Sequence, residues 1–142
     1  MKTIVAVLVS FVILFVGWSA ISYILGLIGY VAAEGMQRIG LIHIIYILFV
    51  WFISPAIGAF FAIVVTNRLF TTVELKTLYV SFVSVSATVV TFTFILGLNM
   101  PDQGDSGMLN KVGIVLQVAA IFVGAYIGKK YSEGRWQQSI AS

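Results

Sequence analysis

"TLYVSFVSVSATVVTFTF", Thr77 to Phe94, decides the architecture, because it reads two ways. Its valines, threonines and aromatics, and alternations such as Thr91-Phe92-Thr93-Phe94, suit a β-strand. Its length and its lack of any Asp, Glu, Lys or Arg suit a helix crossing a bilayer.

The rest of the chain arbitrates. Of 142 residues, 61% are hydrophobic and 9% charged, with a mean hydropathy of +1.09. Soluble domains are about 25% charged. So few polar groups cannot cover so much apolar surface in water, and the chain reads as an integral membrane protein.

Four runs carry no Asp, Glu, Lys or Arg: Thr3–Ala33, Ile39–Asn67, Thr77–Pro101 and Val112–Gly128. A spanning helix needs roughly 17–25 apolar residues, so each run is long enough. A barrel would need many short segments alternating lipid-facing and lumen-facing residues. Three of the four runs are continuously apolar, and a lone β-span would have no partner for its backbone groups. Thr77–Phe94 is therefore read as a helix whose β-branched content is overridden by the bilayer.

The fold expected is an all-α integral membrane protein, a single four-helix transmembrane domain over 1–142. Its helices are placed at about 4–33, 39–66, 77–98 and 112–128, followed by an interfacial C-terminal tail, 129–142. Lys2 and the small-residue stretch Val31-Ala32-Ala33 resemble a signal peptide, but the apolar run is about twice the usual 7–15-residue core, so a retained anchor is expected. Lys2, Arg68, Lys76, Lys129, Lys130 and Arg135 fall on one side of this threading, against Arg38 and Lys111 on the other. Basic excess marks the cytoplasmic face, which predicts both termini inside and a multi-pass protein of the cell membrane, the bacterial inner membrane.

At about 100° per residue, Thr77, Ser81, Ser84, Thr88 and Thr91 share one arc of the third helix, and Tyr79, Ser86, Thr93 and Gly97 gather opposite. Other helices carry related stripes. Ser19, Ser22, Gly26, Gly29 and Ala33 lie on the first, Ser54, Gly58 and Ala62 on the second. Gly113, Gln117, Ala120, Gly124 and Gly128 lie on the fourth. Small residues let helix backbones approach, so Ser22, Gly26, Gly29, Ser54, Gly58, Ser81, Ser84, Thr88, Thr91, Gln117, Ala120 and Gly124 are the candidate interface positions. The two-sided third helix is the best candidate for an oligomer or partner contact, since four helices leave one of its faces to spare.

The remaining polar features have modest readings. His43, the only histidine, is placed one turn inside the second helix as an interhelical or pH-sensitive contact. Pro55 removes a backbone donor and is expected to bend that helix. Arg68, Lys76, Lys129, Lys130, Arg135 and Trp136 are expected as anchors at the membrane surface. The segment "TNRLFTTVELK", 66–76, interleaves apolar and charged residues and is expected to lie along the inner interface. The loop "NMPDQGDSGMLNK" carries Asp102 and Asp105, far short of the six to eight oxygens that calcium takes.

Whole classes of function fall away. The chain has no cysteine, its spans hold no Asp or Glu, and one histidine cannot build a metal set. No enzyme activity and no cofactor is expected, and basic residues are too sparse for nucleic acid. Coupled transport usually leaves a charge in the membrane, and none is present. Two readings remain. One is a packing, assembly or accessory subunit of a membrane complex, whose partners are the lipid bilayer and other transmembrane helices in a homo-oligomer or hetero-complex. The other is a self-assembling pore, channel or holin-like permeability protein lined by the hydroxyls of the third helix.

Overall fold

The structure is a computed structural model that describes residues 1–34, 41–98 and 106–140; the side chains of 30–34, 41–44, 93, 94, 96–98, 106–110 and 135–140 lie outside that description. Four helices follow in order: α1 (Lys2–Glu34), α2 (Leu41–Leu69), α3 (Leu75–Leu98) and α4 (Ser106–Ile140). Each contains a stretch long and apolar enough to cross a membrane. The Thr77–Phe94 segment is helical throughout. The fold is thus an all-helical bundle suited to a multi-pass membrane protein.

Side-chain contacts give the topology. Ser10 meets Thr66 and Gly17 meets Gly58, so α1 and α2 run antiparallel. Ala6 and Val7 pack with Leu78 and, one turn on, Phe11 stacks on Phe82 with ring centroids 5.1 Å apart, so α1 and α3 run parallel. Gly124 meets Ala56 and Gly128 meets Phe60, so α2 and α4 also run parallel. The result is an up-down-up-down bundle in which the start of α1 and the last turns of α4 come to the same end. Around the ring, α2 packs most extensively, against α1 on one side and α4 on the other; α3 closes the ring between α4 and α1 and touches α2 least.

The core is one contiguous cluster of Leu14, Ala59, Ala62, Ile63, Phe82, Ile121 and Ala125. A smaller cluster at the termini end joins Ala6, Val7, Val73 and Leu78. That second cluster involves the segment 66–76. Helix α2 continues to Leu69, and Phe70 N–H still donates to the Thr66 carbonyl at 2.9 Å. A tight turn then tucks Val73 under the bundle, 6% exposed. Burying Val73 beside Ala6 and Val7 is more favourable than leaving it exposed, and the chain turns within residues 70–74.

Helix α4 also exceeds the expected 112–128: it runs from Ser106 to Ile140, and the segment after Gly128 continues the same helix. Hydropathy marks where the apolar run stops, not where the helix stops. Past Gly128, Glu133 pairs with Lys129 at 3.4 Å and with Lys130 at 3.5 Å. Ser132 Oγ donates to the Gly128 carbonyl at 2.9 Å. These i,i+3 and i,i+4 contacts favour continued helix in a polar sequence. At 1.5 Å per residue α1 and α4 are each about 50 Å long, more than the roughly 30 Å of hydrocarbon they would cross.

Candidate functional site

Helix α2 is clamped between two backbone-close seams. On the α1 side, the Gly58 Cα lies 3.3 Å from where a Gly17 Cβ would stand, and a Cβ on Gly58 would sit 2.9 Å from the Leu14 carbonyl oxygen. On the α4 side, a Cβ on Gly128 would sit 2.9 Å from the Phe60 carbonyl oxygen, and one on Gly124 would overlap the Ala56 carbonyl outright. Further along, Gly113 receives the Trp51 ring and Gly29 receives the Tyr46 ring, whose hydroxyl donates to the Leu25 carbonyl. Each glycine is present because a neighbouring backbone or ring occupies the volume of its missing side chain.

These contacts place several sequence candidates. Gly58 and Gly124 lie in the seams, Gly29 lies under Tyr46, and Ser54 and Ala120 are fully buried. Ser22 is half-buried, whereas Gly26 is exposed with nothing within 4 Å of a Cβ. Pro55 is fully buried within the unbroken α2. The seams also contain residues the small-residue stripes did not single out: Gly17 and the pair Ser10–Thr66. Ser10 and Thr66 are both fully buried, with their hydroxyl oxygens 3.0 Å apart across the α1–α2 contact, and Ser10 also donates to the Ala6 carbonyl at 2.9 Å. The periodicity Ser10, Leu14, Gly17 was available, but a leucine between two small residues hid it.

Helix α3 divides differently. Leu78, Phe82 and Ser86 face inward and are buried, while Thr77, Ser84, Thr88 and Thr91 face outward and are exposed. Ser81 is half-buried at the edge. Two of the three outward threonines bond to the backbone of their own helix: Thr88 Oγ1 donates to the Ser84 carbonyl at 3.0 Å and Thr91 Oγ1 to the Ala87 carbonyl at 2.8 Å. Such back-bonding removes most of the cost of a hydroxyl in an apolar surround. It answers how a membrane helix carries this many hydroxyls.

Two buried hydroxyls do not follow that pattern. Ser54 Oγ and Ser86 Oγ have no hydrogen-bond partner. A buried donor left unmade costs about 1–3 kcal/mol. Ser86, its hydroxyl oxygen itself sealed off, is among the residues lining a cleft of about 230 Å³ between α1, α3 and α4. Its floor includes Leu14 and Ile121, both buried; Gln117 of α4 lines it half-buried; Phe15 and Val89 form exposed rims. Helix α3 is anchored near its start through Leu78, Phe82 and the Phe11–Phe82 stack.

The basic positions gather at the termini end. Arg68, Lys76 and Lys130 are exposed there, and Lys129 Nζ lies 5.1 Å over the Tyr79 ring, tying α4 to α3. Phe60 and Tyr131 add a ring contact between α2 and α4, centroids 5.6 Å apart. The side chains of His43, Arg135 and Trp136, and the whole of Asp102 and Asp105, lie outside the described residues. Among the described residues no three His, Cys, Asp or Glu side chains come close enough to hold a metal ion.

No protein-family model, curated protein or solved structure matches this chain.

Proposed function

We propose that this protein is a non-catalytic, multi-pass subunit of a bacterial inner-membrane complex, with both termini cytoplasmic, and that it assembles through the outward face of α3. The observation that carries this reading is the asymmetry of that helix. One face is docked into the bundle, and the opposite one presents Thr77, Ser84, Thr88 and Thr91 to the outside. Ala87, Ser84 and Thr88 are small enough for a second helix to approach closely, and the threonine oxygens still have lone pairs to accept bonds across the contact. Among the described residues nothing covers the face, and the reading assigns a second chain to it. The cytoplasmic placement rests on the basic cluster at the termini end.

A pore lined by the same hydroxyls is the competing reading. The protons of Thr88 and Thr91 are already donated to their own helix. That leaves a wall with few free donors, and hydroxyls without a ring of charge or amide make a poor selectivity element.

Native mass spectrometry of protein released gently from its own membranes tests the proposal. A defined oligomer or a hetero-complex is the expected result. A lone 15.5 kDa species would overturn it. Ser84→Cys separates the two assemblies: the thiol stays unreactive towards aqueous thiol reagents at a dry interface and reacts in a water-filled pore.

A further inference from the structure

Lys129 and Lys130 are cations inside a stretch suited to crossing the membrane. The part of α4 long and apolar enough to do so runs from Lys111 to Gly134, and both lysines fall within it, near its end. Ionisable groups in such a place are costly and call for a partner. One acid is at hand: Glu133 lies 3.4 Å from Lys129 Nζ and 3.5 Å from Lys130 Nζ. Two cations thus share one anion. Lys129 Nζ also lies 5.1 Å over the Tyr79 ring, which brings the ammonium to the seam between α3 and α4. Lys76 precedes Tyr79 by three residues and so stands beside it on the same side of α3. Lys76 is exposed and has no partner among the described residues. Three lysines against one glutamate leave the outer side of this seam with an unanswered positive charge.

The surroundings restrict the anion that answers it. Tyr126 is 51% exposed and stands three residues before Lys129 and four before Lys130, so it lies next to both on the surface of α4. Val123, Ala119 and Val115 continue that exposed, apolar face away from the lysines. From Ala119 to Lys130 is eleven residues, about 16 Å along the helix axis. That is half of a hydrocarbon layer of about 30 Å, the depth of one leaflet. A phosphate carried on an alkyl chain of that length matches the face in charge and in extent. A soluble anion has the charge and leaves the apolar part unused. A zwitterionic lipid fits the apolar part and brings a cation of its own against Lys76.

We propose that the outer side of the α3–α4 seam, at the end that holds the termini, is a binding site for one anionic phospholipid. Lys76, Lys129 and Lys130 hold its phosphate, and an acyl chain lies along Tyr126, Val123 and Ala119. Glu133 opposes the lipid, because it competes with the phosphate for both lysines of α4. Arg68 and Lys2 are exposed at the same end and take no part. The site needs no second chain, so it stands or falls separately from assembly through the outward face of α3.

Native mass spectrometry of the full chain, with lipids of one acyl composition added back in detergent, tests this. One dioleoyl phosphatidylglycerol should bind per chain, about tenfold more tightly than dioleoyl phosphatidylcholine. At about fivefold for each basic residue near the phosphate, Lys76→Gln and Lys129→Gln should each weaken phosphatidylglycerol by that factor, and Glu133→Gln should tighten it. Lys76→Gln removes no contact among the described residues, and Lys129→Arg should retain the lipid, so lost charge is distinguished from lost folding. Arg68→Gln and Lys2→Gln should each change the affinity by less than about twofold. Equal binding of the two lipids, or losses from Arg68→Gln as large as those from Lys76→Gln, would overturn the site and leave only diffuse attraction to a basic surface. Unaltered affinity in Glu133→Gln would overturn the competition assigned to that acid. Displacement of the lipid by an equal concentration of glycerol 1-phosphate would overturn the lipid as occupant in favour of a soluble phosphate.

Discussion

The α1–α2–α4 seams and helix α3 use the same vocabulary of small and hydroxylated residues for opposite ends. In the seams, Gly17, Gly58, Gly124 and Gly128 bring backbones to within contact, and Ser10 bonds to Thr66 across the join. On α3 Thr88 and Thr91 bond to their own backbone, and the helix is held through Leu78 and Phe82 on its opposite face. The apolar span of α2 is 39% buried and that of α3 is 17%. The lesson is that a small or polar residue in a membrane helix marks a close approach only where its volume or its proton is claimed by a neighbour. Back-bonding alone does not decide it, since Ser132 bonds to the Gly128 carbonyl and is buried whereas Thr88 and Thr91 bond back in the same way and are exposed.

That contrast can be broken first at its strongest point. Gly124→Leu should abolish the folded bundle, since even a methyl would overlap the Ala56 carbonyl; a loss above about 4 kcal/mol is expected, read as absence of monodisperse protein after extraction. Gly58→Ala places a methyl 2.9 Å from the Leu14 carbonyl oxygen and should cost about 1–3 kcal/mol in reversible unfolding, because two backbones and not a flexible side chain must move. If it proved neutral, the α1–α2 seam would be looser than described.

Smaller effects sharpen the comparison. Ser86→Ala should stabilise the isolated chain by up to about 1 kcal/mol, since it deletes a buried donor that has no partner. A double-mutant cycle of Ser10→Ala with Thr66→Val should give a coupling of about 0.6 kcal/mol, typical of interhelical polar contacts in membranes. Thr88→Val keeps shape and loses only a back-bonded hydroxyl, so the chain's own stability should stay within about 0.5 kcal/mol. Any larger effect of Thr88→Val should appear in the stoichiometry seen by native mass spectrometry, not in unfolding.

Much of the fold was legible because the bilayer imposes it: charge-free runs of sufficient length give the number of spans. That Thr77, Ser84, Thr88 and Thr91 share one face of α3 was legible too, since they recur at helical spacing, while the side chains of Thr93 and Gly97 in the opposite arc lie outside the described residues. Which arc points inward was not, because periodicity defines faces without naming neighbours. Gly26 and Gly58 look alike in sequence, yet one meets nothing and the other meets two backbones. The full length of α4 was hidden for another reason, because Lys129, Lys130 and Glu133 end the apolar run while supporting the helix. The cleft beside Ser86 was not legible, since it lies between three helices and follows from no residue pattern on any one of them.

The claim on which the functional reading rests is that another protein chain lies against the outward face of α3. Replacing Ser84 with a diazirine-bearing amino acid and illuminating cells' own membranes reads out that neighbour, since the carbene inserts into whatever is adjacent. Adducts to protein, either a second copy of this chain or one defined partner, are the expected result. Adducts dominated by lipid acyl chains, or by water, would contradict it.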